Sequence, residues 1–62
     1  MTTEELREQL RMAAESRHEC ITNARYYAGR GMWHLAQREI AWAREWNASV
    51  RYWLSRIGQE NA

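Results

Sequence analysis

Apolar positions recur three and four residues apart along nearly the whole chain and lose their phase at one place, Gly29-Arg30-Gly31. A glycine there can adopt the left-handed conformation that ends a helix, so the pattern predicts two helices joined by a turn at 29–31. Upstream, Leu6, Leu10, Ala13, Ala14, Arg17, Cys20, Ile21, Ala24, Tyr27 and Ala28 share an arc of roughly 140° on a helical projection. Thr2-x-x-Glu5 before them is a capping box, in which hydroxyl and carboxylate each satisfy a free backbone N–H of the first turn. A first helix is therefore expected over 3–28. Downstream, Trp33, Leu35, Ala36, Ile40, Trp42, Ala43, Trp46, Asn47, Val50, Trp53, Leu54 and Ile57 spread over roughly 180°. Gly58 and the polar residues after it read as a stop, which gives a second helix over 32–57 and a polar tail over 58–62.

Within the arcs the steps alternate three and four: Leu6-Leu10-Ala13-Arg17-Cys20-Ala24-Tyr27, then Trp33-Ala36-Ile40-Ala43-Asn47-Val50-Leu54-Ile57. That is the rhythm of knobs-into-holes packing. Folding at Arg30 pairs Leu6 with Leu54, Leu10 with Val50, Ala13 with Asn47, Arg17 with Ala43, Cys20 with Ile40 and Tyr27 with Trp33. The fold class expected is all-α, an antiparallel helical hairpin forming a single domain. One partner helix does not cover an arc as wide as the second one, and a two-fold pair of hairpins making a four-helix bundle would. The expected dimer core is Ile40, Ala43, Asn47, Val50, Leu54 and Ile57.

Composition narrows the class. Sixty-two residues at 7.5 kDa make one small domain, and such a chain buries only about 60% of the surface its unfolded form exposes. A single cysteine makes no internal disulfide, and no run approaches the roughly 20 apolar residues of a membrane span. The start Met1-Thr2-Thr3-Glu4-Glu5 lacks the positive charge and apolar run of a signal peptide, so a cytoplasmic protein with no membrane partner is expected. Nine arginines oppose eight glutamates for a net charge of +1, with no lysine and no aspartate. Five of the glutamates precede Ile21 and six of the arginines follow it, so a chain folded in half brings unlike charges together.

Candidate chemistry is sparse. His18, Cys20 and His34 are possible metal ligands, and Glu15-x-x-His18 has the glutamate–histidine spacing of di-iron bundles, but one copy reads as a solvated histidine and a packed thiol. Nothing groups a nucleophile with a base and an orienting carboxylate, and no glycine loop opens a helix toward a phosphate. No enzyme activity, cofactor or metal is expected. Arg17 and Asn47 are polar within the apolar arcs, with Glu39 at the edge of the second. An asparagine there commonly fixes register, and Arg17 is placed to reach Asn47 or Glu39 within a turn.

Residues Tyr27 to Ala43 resemble the helix-turn-helix of a tetratricopeptide repeat. A solenoid needs at least three such units, so the likeness reads as close helix packing at Ala36 and Ala43. Glu5 to Ala14, Asn23 to Gly31 and Ala41 to Trp46 together resemble a small early protein of lambdoid bacteriophages, encoded between the exonuclease and excisionase genes. That resemblance implies a protein of the infected bacterium's cytoplasm that modulates phage development or host physiology through contacts, and it supplies no catalytic residue. The expected partners are a second copy and a host or phage protein. Four tryptophans and nine arginines suit such contacts, with Trp42, Arg38, Arg44 and Arg51 as the expected partner surface. The alternative is an RNA- or DNA-binding bundle resembling the repressor-of-primer plasmid protein, using Arg25, Arg44, Arg51, Arg56 and Tyr52, although the near-zero net charge opposes it.

Overall fold

A computed structural model describes residues 1–60, which form two helices, α1 (Thr3–Gly29) and α2 (Trp33–Glu60), packed against each other as an antiparallel hairpin about 46 Å long. Thr2 is the N-cap of α1. Its hydroxyl accepts from the Glu5 N–H at 3.1 Å while the Glu5 carboxylate accepts from the Thr2 N–H at 3.1 Å, so the capping box is closed. Those bonds, the backbone one first, hold the Glu5 carboxyl below its ordinary pKa.

The turn is a Schellman motif. The Met32 N–H donates to the Tyr27 carbonyl at 2.9 Å and the Gly31 N–H to the Ala28 carbonyl at 3.1 Å. Gly31, at φ +74°, takes the left-handed position of that motif, and Gly29 is still helical. The stop expected at Gly58 is not used, because α2 runs through it to Glu60. Nothing lies within 4 Å of where a Gly58 Cβ would sit, and glycine only weakens a helix by about 1 kcal/mol unless its conformation changes. The expected polar tail is helical over 58–60, and positions 61–62 lie outside the described residues.

On α1 the seam follows the expected line: Leu6, Ala13, Cys20 and Ala24 are buried, with Leu10, Arg17 and Tyr27 half-buried between them. On α2 it turns by one column. Ala36, Ala43 and Val50 are buried, but the residues completing the seam are Glu39, only 7% exposed, with Trp53 and Ile57 half-buried and Trp46 alongside. Trp33, Ile40 and Leu54, expected opposite Tyr27, Cys20 and Leu6, are 64%, 45% and 53% exposed. Either column beside the alanines satisfies the same three-four rhythm. Rotation toward Trp53 and Ile57 half-buries both, and area removed from water favours the register that shelters the indole of Trp53 over one that shelters Leu54.

Candidate interaction surface

Because α2 turns Trp53 and Ile57 toward α1, the hairpin has two unlike sides. On one, the residues Trp33, Ile40, Asn47 and Leu54 stand seven apart on α2, a nearly straight row on a helix of 3.6 residues per turn. Ala14, Ile21 and Ala28 form the matching row on α1. Between the rows runs a shallow groove with two connected basins that share Ile21 and Ile40. The larger, about 440 Å³, is floored by Ile21, Ala24, Ala28, Ala36 and Ile40 and closed at the turn end by Trp33. The smaller, about 290 Å³, is lined by Arg17, Ile21, Ile40, Ala43, Arg44 and Asn47.

Arg17 Nη1 donates to Asn47 Oδ1 at 2.7 Å, a partly buried bond between the helices at the groove's centre. It fixes the axial register of the hairpin, and it chooses Asn47 over Glu39, the two partners the sequence allowed Arg17. Glu39 sits instead against Cys20. Burial first, and the Glu39 carboxylate second, push the Cys20 thiol above its ordinary pKa, which makes it a packed and weakly reactive sulfur. The groove's rims carry His18 and Arg25 on α1 and Gln37, Arg44 and Arg51 on α2, all exposed. On α1 the same seven-step column also holds Arg11, bridged to Glu8 and Glu15, and ends at Glu4, whereas by helical position no glutamate among the described residues falls on the α2 rim.

The other side belongs to the tryptophans. By helical position Trp46 and Trp53 of α2 share this side with Gln9, Ser16 and Asn23 of α1; Trp53 and the three α1 residues are half-buried, and Trp46 and Trp42 are 38% and 44% exposed. The Arg38 guanidinium lies 5.1 Å from the Trp42 ring centre, holding it toward the edge of this surface. Tyr52 packs edge-on against Trp53 at 4.9 Å, and its hydroxyl accepts from Arg56 at 3.0 Å. The Tyr52 and Arg56 of the nucleic-acid alternative are thus engaged with each other. Along α1 this side is edged by Glu5 and Glu19, and along α2 by Arg38 and Arg56.

The expected site residues divide between the two sides. Ala43 and Val50 are buried within a single hairpin, Ile57 is half-buried, Asn47 is bonded to Arg17, and Ile40 and Leu54 line the groove side. Of the expected partner surface, Trp42 and Arg38 sit on the tryptophan side, and Arg44 and Arg51 on the groove rim. His18 and His34 are exposed on different helices, and no three metal-ligating side chains gather among the described residues. Arg11 bridges Glu8 and Glu15, holding the Glu8 carboxyl below its ordinary pKa, but these pairs lie in solvent and add little to stability. No helix among the described residues is long and apolar enough to cross a membrane. Set against known protein families, curated proteins and solved structures, the chain matches none.

Proposed function

We propose that this chain is a non-enzymatic protein-interaction module that works as a homodimer. One observation carries the proposal: eleven large apolar side chains are exposed among the described residues, while Leu6 is the one large side chain fully buried. A chain this small does not gain enough from such a core to stand alone comfortably, and apolar surface on this scale is the mark of a contact face. Self-association suits the tryptophan side. Two hairpins related by an axis along their length, turns at the same end, set α1 of each beside α2 of the other. In the register of the Cys20–Glu39 contact, Glu5 comes within about one turn of Arg56 of the copy and Glu19 within about one turn of Arg38 of the copy. Trp42, Trp46 and Trp53 fill the space between.

The groove side has less self-complementarity, because Arg25, Arg44 and Arg51 on its rims have no ion-pair partner among the described residues. The resemblance to a lambdoid early protein supports a setting for the module: the cytoplasm of an infected bacterium, with phage development or host physiology as the process modulated. The non-enzymatic reading rests on the residue types present. A nucleic-acid clasp like that of the repressor-of-primer plasmid protein is the second reading, and the net charge of +1 weighs against it.

Trp42→Ala tests the proposed face. The residue is exposed in the hairpin, so helicity should survive, while dimer dissociation should strengthen by about 2 kcal/mol or more, the scale of an interface anchor. Glu19→Arg should weaken the dimer and Arg38→Glu should restore it in the double variant. An unchanged dimer in both experiments would remove the tryptophan side from the interface.

A further inference from the structure

We propose that the arginine-rimmed groove binds an amphipathic α-helix of another protein whose apolar stripe is flanked by glutamate or aspartate. The inference rests on the reading of the chain as an interaction module and adds the chemistry of the partner. Three features of the groove select it. The rows Ala14-Ile21-Ala28 and Trp33-Ile40-Asn47-Leu54 both keep a seven-residue step, the spacing at which a third helix seats its side chains in the holes between two others. From Trp33 to Leu54 the row runs roughly 30 Å, enough for about three heptads. The floor is small and aliphatic at Ala24, Ala28 and Ala36, which lets a helix approach closely, and Trp33 stands exposed at one end.

Charge decides what kind of helix. Arg25 on one rim stands level with Gln37 on the other, and Arg44 and Arg51 stand level with His18 and Arg11; Arg11 is occupied by Glu8 and Glu15, while Arg25, Arg44 and Arg51 have no ion-pair partner among the described residues. A second copy docked through its own groove would oppose these arginines to themselves, and like charges across an interface are unfavourable. A helix edged with carboxylates meets them on both sides. A membrane surface accepts a convex apolar face, whereas this one is concave. A nucleic acid needs donors or flat aromatic platforms on the floor, and the floor here is alanine and isoleucine.

The test uses the full chain and a 21-residue helical peptide, about three heptads, with leucine at a and d, glutamate at e and g and alanine elsewhere, beside the same peptide with lysine at e and g. Titration calorimetry should show saturable binding of the glutamate peptide and at least tenfold weaker binding of the lysine peptide. Arg44→Glu with Arg51→Glu should reverse that preference, and Ile40→Glu should abolish binding while circular dichroism stays unchanged, as these side chains are exposed. Equal affinity for both peptides, or binding indifferent to Ile40→Glu, overturns the proposal. So does binding to phosphatidylglycerol vesicles or a paired RNA loop that is lost in the same arginine variants. Sedimentation of the same samples separates the two readings: peptide binding by a monomer leaves the groove standing without the dimer, whereas loss of the dimer in Ile40→Glu assigns the groove to self-association and overturns it.

Discussion

Arg17 and Asn47 show how much one polar pair settles in a core made mostly of alanine. A charged hydrogen bond contributes about 1.5–3 kcal/mol when well sheltered, and this one is half open to solvent, so about 1 kcal/mol is expected. Asn47→Leu should lower stability by about that amount in urea unfolding at fixed protein concentration, because it leaves the Arg17 guanidinium without its acceptor. Arg17→Leu combined with Asn47→Leu should recover the loss, since two apolar groups leave nothing unpaired. A stabilising Asn47→Leu single variant would mean the bond contributes nothing. The pair was legible in the sequence, because both residues interrupt an apolar arc and the folding point places them within a turn of each other. The burial of Glu39 was not. Its position at the arc's edge said nothing about which way α2 would roll, and a carboxylate over a thiol has no signature in spacing alone.

At the scale of elements, the turn was the most legible feature and its chemistry divides two neighbouring glycines. Gly31 holds φ +74° and completes the Schellman motif, whereas Gly29 is helical with open space where a Cβ would go. Gly31→Ala should therefore cost about 1–2 kcal/mol, the penalty of a left-handed backbone for a residue with a Cβ. Gly29→Ala should raise stability by about 0.5–1 kcal/mol through helix propensity. Thermal melts of the two variants should move in opposite directions, and a common direction would contradict this account of the turn. The length of α2 and its rotation were read less well. Gly58 looks like a terminator only if something requires it to leave the helix, and nothing does. The rotation was ambiguous because a 180° arc offers two columns with identical period, and only the sizes of the competing side chains distinguish them. That choice created the groove, by leaving Ile40 and Leu54 outside the seam.

The described residues form a rod of 46 × 14 × 13 Å, one layer of two helices with no second layer among them to cover it. Its two long sides differ in the charge beside their apolar centres, mixed along the tryptophans and, along the groove, richest in arginines without an ion-pair partner among the described residues. Composition and periodicity together indicated a hairpin with surface to spare, while the division of that surface into two sides required the rotation of α2. The account's central claim is that the tryptophan side joins two copies, and sedimentation equilibrium of the wild-type chain across a dilution series tests it most directly. The predicted result is a species of twice the 7.5 kDa chain mass at tens of micromolar, dissociating on dilution in step with a falling melting temperature. A folded particle of 7.5 kDa at every concentration, melting at one temperature throughout, would contradict it.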